Sequence, residues 1–279
     1  MAMAAKSLDR FSRRQLFGSG LGRAVSTHMA LLDAGRPTKP PAARVVAGPS
    51  DWGEGDSAAL GARLEPAHSA LLEAIAVRPG GRVLDSSAGD GGLAARAAAA
   101  GAAVTALEPV EALAERGRRR SEHLDVDWRT DAPEGAFGAV VSCFTDSHSA
   151  DPRRIARILT RAAAPGAPIA LTAWKGLMAR AMDIAAPERP GRSERWSRHE
   201  TARLHFFDFP ELSVREHFMC WEFADADAAF AELSAPVESA KGRRRLHEAL
   251  PDLIERYGRR GDRGLVLRSD YVLVLARRP

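Results

Sequence analysis

From residue 50 onward the apolar positions change period repeatedly. Runs of four or five apolar residues alternate with longer segments in which apolar residues recur every three or four positions. The pattern predicts helix over 60–77, strand over 82–85, helix over 92–100, strand over 103–107 and helix over 110–120. It then predicts a short strand at 126–128, a strand within 137–144 around Ala139-Val140-Val141, a helix over 152–163 and a strand over 168–174. Strands separated by helices of about ten residues predict a parallel sheet with right-handed crossovers. The tail differs: two long strands, 212–223 and 264–276, flank helices near 225–233 and 239–257. The fold class is therefore α/β.

Residues 1–50 do not share this pattern. They carry Lys6, Arg10, Arg13, Arg14 and Arg23 against few acids, and the loop-like run Gly35-Arg36-Pro37-Thr38-Lys39-Pro40-Pro41. The reading is a basic appendage and linker (1–50) before one domain (51–279). Ser12-Arg13-Arg14-Gln15-Leu16-Phe17 resembles the start of a twin-arginine export signal. The segment after it is glycine-rich and charged where an apolar stretch should be, and Phe17, Leu21, Val25, Met29 and Leu32 fall at helical spacing. A short amphipathic helix and a cytoplasmic location are the expectation.

Composition narrows the classes. Apolar residues make up 45% of the 279, within the globular range, but aromatics are only 6% and alanine runs are frequent, so much of the apolar content is helix filler. No stretch approaches the length of a membrane span. With Cys143 and Cys220 alone, a disulfide scaffold and four-cysteine metal sites are excluded. The net charge is +4, nearly all of it from arginine, which raises nucleic acid as a partner. The clusters Arg116-Gly117-Arg118-Arg119-Arg120 and Lys241-Gly242-Arg243-Arg244-Arg245 are short and lack interleaved aromatics, so they read as solvated helix ends and no nucleic-acid partner is expected.

The chemistry concentrates in 80–109. A strand ending in Asp85 runs into Ser86-Ser87-Ala88-Gly89-Asp90-Gly91 and then an alanine-rich helix; a second strand ends in Glu108. Gly89 and Gly91 suit positive φ and close backbone approach to a ligand. A carboxylate closing the second strand suits paired ribose hydroxyls, and the segment lies where open α/β sheets bind ligands. Two ligand classes fit such a turn. A dinucleotide would set its pyrophosphate at the helix N-terminus, but Asp90 would repel it and Asp85 suits it poorly. S-adenosylmethionine carries a sulfonium and an ammonium and no phosphate, and the two acids suit that cation.

Val83-Leu84-Asp85-Ser86-Ser87-Ala88-Gly89-Asp90-Gly91 resembles the first motif of class I S-adenosylmethionine-dependent methyltransferases. Gly101-Ala102-Ala103-Val104-Thr105-Ala106-Leu107-Glu108-Pro109 resembles their second strand with its ribose-binding acid. Trp52-Gly53-Glu54-Gly55-Asp56, Ala164-Pro165-Gly166-Ala167 with Ala173-Trp174, and Ser269-Asp270-Tyr271-Val272-Leu273-Val274 extend the resemblance to a ubiquinone/menaquinone-biosynthesis-like branch over about 50–279. The resemblance implies a Rossmann-like, doubly wound, mostly parallel seven-stranded sheet with an antiparallel last strand. It implies S-adenosyl-L-methionine as cosubstrate, with Asp85, Ser86, Ser87, Gly89, Gly91, Glu108, Pro109, Asp131, Ala132 and Cys143 lining its site. Two departures stand out: Ser87 replaces the family's first glycine, and Gly138 replaces the aspartate that opens the fourth strand, after a shortened loop.

The reaction so implied is an in-line transfer of the sulfonium methyl to a small-molecule acceptor, for which the protein supplies proximity and alignment. An oxygen or carbon acceptor needs a base; His148, then Asp146, are the candidates, in the segment after the fourth strand. No metal is implied: His199, His205 and His217 match no zinc spacing. Residues 175–211 hold Met178, Met182, Trp196, Phe206, Phe207 and Phe209, much of the chain's scarce aromatic content, and read as a cover suited to an apolar or aromatic acceptor. Two alternatives remain: a catalytically impaired relative acting as a binding or accessory protein, and a flavin or nicotinamide oxidoreductase.

Overall fold

A computed structural model describes residues 58–131, 136–144, 152–186, 209, 211–237 and 239–279. The chain divides into units 1–41 and 42–279, and every described residue lies in the second. The appendage expected over 1–50 lies outside the described residues.

The described elements run α1 (Ala58–Arg63), α2 (Glu65–Ala74), β1 (Arg82–Asp85), α3 (Gly92–Ala99), β2 (Ala103–Leu107), α4 (Glu111–Arg120), β3 (Val126–Arg129), β4 (Ala139–Cys143) and α5 (Pro152–Ala162). They continue as β5 (Pro168–Gly176), α6 (Leu177–Ala185), β6 (Ser213–Phe223), α7 (Ala226–Ser234), α8 (Ala240–Tyr257), β7 (Gly258–Gly261) and β8 (Gly264–Arg277).

The single helix expected over 60–77 is two. Pro66 sits in the first turn of α2, where its missing N–H costs nothing, and Leu64 closes α1 with a turn onto the Gly61 carbonyl at 3.2 Å. The apolar spacing runs through the break, which hid it. Two elements escaped the pattern altogether. α6 falls in a stretch read as cover, and β7 is a four-residue Gly-Arg-Arg-Gly strand with no apolar alternation.

The sheet order is β3-β2-β1-β4-β5-β8-β6, with β7 paired to β8. The five strands from β3 to β5 are mutually parallel, and β8 is antiparallel to both β5 and β6. This is the doubly wound, mostly parallel sheet expected, with β7 as an eighth strand. The order reverses between β1 and β4, so a crevice opens outside their carboxyl ends.

Three apolar clusters fix the layers. Leu71, Val83, Leu93, Val104 and Val141 join α2 and α3 to one face. Alanines supply most of α3's buried surface (Ala94, Ala97, Ala98), so this helix lies close on β1 and β2. Leu84, Val140, Leu159 and Ile169 seat α5 on the other face. The third cluster gathers Trp174, Trp221, Leu267 and Tyr271 of β5, β6 and β8 beneath Leu177 and Met178 of α6 and Leu246 of α8. Arg63 ties α1 to α7 through Glu232, with a second contact at 2.7 Å.

Candidate functional site

At the end of β1 the chain turns through Ser86–Gly91 into α3. Gly89 and Gly91 hold φ of 55° and 82°, in the left-handed region where a side chain is strained. A Cβ at Gly89 would meet nothing within 4 Å, so the backbone there borders open space. A Cβ at Gly91 would meet Gly117 Cα at 2.9 Å and Trp128 Cζ2 at 3.0 Å; that glycine also serves the packing of β3 and α4.

Asp85 is fully buried. Its Oδ1 accepts the Ser87 N–H at 3.3 Å, while Oδ2 and the neighbouring Ser86 Oγ have no hydrogen-bond partner. Burial pushes the Asp85 carboxyl up to about 7; the Ser87 N–H opposes this and the Glu108 charge adds to it. A buried carboxyl with one oxygen unanswered is costly unless something cationic or protic faces it.

Glu108 closes β2 and reaches back to the turn. Its Oε2 accepts the Gly89 N–H at 2.9 Å and its Oε1 accepts the Val110 N–H at 2.8 Å. Burial raises its pKa, and the two amides hold it down. Each carboxylate oxygen keeps further acceptor capacity, so Glu108 can still take two hydroxyl donors.

Ser87 joins this turn to β4. Its Oγ accepts the Cys143 N–H at 3.0 Å and lies 3.2 Å from Ser142 Oγ. Cys143 Sγ in turn lies 3.7 Å from the Thr172 hydroxyl of β5. Phe144 follows with φ of 54°, a strained value for a residue with a Cβ, and its N–H donates to Thr172 Oγ1 at 3.1 Å. Its ring stacks on Trp174 at 3.6 Å and meets Tyr271 edge-on at 5.7 Å. Burial pushes the Tyr271 hydroxyl up to about 12, Cys143 adding to it.

Asp90 proves less available to a ligand than its position suggests. Its Oδ1 accepts the Gly92 N–H at 3.3 Å and its Oδ2 pairs with Arg120 at 2.7 Å. The charge expected to face a cation is answered inside the protein, at the first turn of α3 and the end of α4. His68 of α2 packs against the same turn, 2.8 Å from where a Cβ on Gly92 would stand. Burial pushes its imidazole down to about 4, with Arg96 and Arg120 lowering it further.

The structure thus brings Asp85, Ser86, Ser87, Gly89, Gly91, Glu108 and Cys143 to one crevice, with Pro109 directly after Glu108. Asp131 is exposed, two residues past β3. Ala132, Asp146 and His148 lie outside the described residues, as do His199, His205, Trp196, Phe206 and Phe207. Met178, in the stretch read as cover, is buried against the sheet. Sequence reasoning missed His68, Trp128 and Phe144. Nothing local marks them, because their roles come from packing against residues distant in the chain. No group of His, Cys, Asp and Glu suited to a metal occurs among the described residues, and no described helix is long and apolar enough to cross a membrane.

Residues 84–171 match the methyltransferase domain family. Over 150 residues the chain is 32% identical to uncharacterized proteins of Mycobacterium tuberculosis and Mycobacterium bovis, covering 50% of this chain and 55% of theirs, so it spans about half the length of these relatives. Among solved structures, the YcgJ protein of Bacillus subtilis superposes with a TM-score of 0.56 at 12% identity, over 77% of this chain and 98% of that one. The Haemonchus contortus phosphoethanolamine N-methyltransferase 2 in complex with S-adenosyl-L-methionine gives 0.52 at 16% identity, over 77% and 52%.

Proposed function

From a chain that carries a methyltransferase domain over 84–171 within the class I methyltransferase fold, we propose an S-adenosylmethionine-dependent methyltransferase acting on a small apolar or aromatic acceptor. One observation carries the reading. The Glu108 carboxylate, held by the Gly89 and Val110 amides, stands beside a buried Asp85 whose Oδ2 has no partner. Two buried acids at the turn, Asp85 and Glu108, neither with a cation hydrogen-bonded to it among the described residues, favour a cationic nucleoside over a dinucleotide.

The residues fit that group. Glu108 would take the ribose hydroxyls. Asp85 and Ser86 would hold the ammonium end, directly or through water, which supplies the partner their buried oxygens lack. The open space at Gly89 leaves room for the ligand against the backbone. Pro109, Asp131 and Ala132 would border the adenine, and Cys143, fixed by Ser87, the methionine side. When bound, the cosubstrate supplies a methyl already activated on sulfonium.

The chain's own part is then alignment of acceptor against that methyl, exclusion of water, and removal of a proton where the acceptor atom carries one. His148, then Asp146, in the segment after β4, are the proposed bases. The stacked Phe144 and Trp174 are buried beside the end of β4, and such apolar surroundings favour an apolar or aromatic acceptor. A thermal-shift comparison tests the cosubstrate class. S-adenosylmethionine and S-adenosylhomocysteine should raise the melting temperature while NAD and FAD leave it unchanged. The reverse pattern would favour the oxidoreductase alternative.

A further inference from the structure

Away from the crevice, the sheet ends on an open strand. β6 stands last in the strand order and pairs only β8 among the described strands. It is eleven residues long, has no proline, and keeps unbroken register with β8 from Ser213 to Phe223. Short length, proline and bulges are the usual guards of an edge, and β6 has none of them. The Glu222 carbonyl takes Arg63 Nη2 at 3.2 Å, so it is turned away from β8. Residues two apart in a strand point their backbone groups the same way, so those of Glu216, Phe218 and Cys220 also face outward. Phe218 is the strand's midpoint, with five residues on either side. It is 58% exposed, the one large apolar side chain so exposed among the described residues, and Arg268 of β8 lies over its ring at 4.6 Å. Glu216, Cys220 and Glu222 share its sheet face by alternation and are exposed too.

A strand with such an edge can pair antiparallel with its own copy about a two-fold axis. The charges choose where the axis falls. Centred on Met219, it sets Glu216 opposite the partner's Glu222, and like charges directly opposed are destabilising. Centred on His217, it sets the partner's Glu216 opposite Phe218, whose neighbour on the other side is Asp270, so two acids flank the ring. Centred on Phe218, it sets Phe218 opposite the partner's Phe218, an aromatic pair. Cys220 then stands between Arg268 on β8 and the partner's Glu216. The short thiol side chain lets the acid and the guanidinium approach across it. Both are exposed, with side chains 54% and 58% accessible, although within one chain Glu216 meets Lys175 and Arg268 meets Asp270. Of these three axes, only the one through Phe218 sets aromatic against aromatic and acid beside base. Arg63 holds the Glu222 carbonyl, so the shared ladder runs over 215–221.

We propose that the outer edge of β6 is a homodimer interface: two copies of this chain join antiparallel along β6, on an axis through Phe218, into one continuous sheet. The partner is a second copy because the strand complements itself about its own midpoint. The inference does not rest on the methyltransferase reading.

Sedimentation velocity of the full chain reads the association. The wild type should show a monomer–dimer equilibrium that shifts toward dimer as concentration rises. Phe218→Asp removes the aromatic pair and opposes two carboxylates on the axis, and should weaken the dimer about tenfold or more. Its exposed position leaves the fold intact, which far-ultraviolet circular dichroism checks. Glu216→Cys reads the register. Residues opposed across a hydrogen-bonded ladder pair have Cα atoms about 5.5 Å apart, within disulfide reach. Under mild oxidation this variant should form a covalent dimer that peptide mapping assigns to positions 216 and 220. The wild type should form none, because the two native Cys220 side chains lie four positions apart along the ladder, about 13 Å. A wild type that stays monomeric at every concentration would overturn the proposal, as would a dimer that Phe218→Asp leaves unchanged. A covalent wild-type dimer through Cys220, or none from Glu216→Cys, would set the axis elsewhere and overturn it too.

Discussion

Ser87 Oγ accepts the backbone N–H of Cys143 at 3.0 Å, fastening the turn after β1 to the end of β4. A glycine, usual at this place in the first motif that the turn resembles, cannot make that bond. The serine therefore acts as a staple across the switch point of the sheet. Ser87→Ala should lower stability by about 1 kcal/mol, the net worth of one such bond, measured by chemical denaturation. It should also weaken S-adenosylmethionine binding, since the turn and the strand end it aligns both border the site. Ser87→Gly should behave the same way or worse, because it adds backbone freedom to the turn.

Gly117 is the counterpart of Trp128. A Cβ at 117 would stand 1.9 Å from Trp128 Cη2, and the indole N–H is held by Ser121 Oγ at 3.0 Å, so the ring has little room to yield. Gly117→Ala should lower stability by about 1–3 kcal/mol, and Trp128→Phe should recover part of that loss in the double variant. Additive losses in a double-mutant cycle would show that the two residues do not meet.

Asp85 and His68 should oppose each other in acid. The Asp85 carboxyl is raised from 3.8 to about 7, so the folded state holds a proton the unfolded state lacks between those values. Its penalty is full above pH 7 and vanishes as pH falls below 3.8. His68 is lowered from 6.5 to about 4, so the unfolded state binds its proton first. Its contribution is full above pH 6.5 and is lost as pH falls toward 4. The two nearly offset between pH 4 and 6.5. Asp85→Asn should therefore stabilise the protein at pH 8 and expose a steep acid loss below pH 6.5; His68→Gln should instead let stability rise as pH falls from 7 toward 4. Denaturation midpoints across pH 4–8 for both variants check the sign.

Cosubstrate binding should carry its own pH signature. Near pH 6 Asp85 is mostly protonated, and a cation beside it favours the ionised form. Binding of S-adenosylmethionine should release a fraction of a proton at pH 6 and almost none at pH 8. Calorimetry in two buffers of different ionisation enthalpy reads that number, and Asp85→Asn should abolish it.

Much of this is legible in the sequence. The run from Arg82 to Leu107 alternates so regularly that β1, α3 and β2 fall within a residue of expectation. The carboxylate at the end of β2 announced the partner of the glycine turn. What stayed hidden depends on contacts between distant residues. Pro66 breaks a helix whose apolar spacing continues through it. Asp90 looked free to face a ligand until Arg120, 30 residues on, proved to hold it. Trp128 sits in a four-residue strand and Phe144 at a strand end, with no periodicity to mark either. The alternation of β6 and β8 marks Trp221 and Ser269 as buried but does not show that Trp221 Nε1 and Ser269 Oγ find no hydrogen-bond partner there.

The central claim is that Asp85 and Glu108 hold a cationic nucleoside at the glycine turn. Isothermal titration of the full chain with S-adenosylmethionine tests it most directly. The account predicts saturable binding that Asp85→Ala and Glu108→Ala each abolish while the far-ultraviolet circular dichroism stays that of the folded chain. No heat from a folded protein at millimolar ligand, or binding that survives both substitutions, would contradict it.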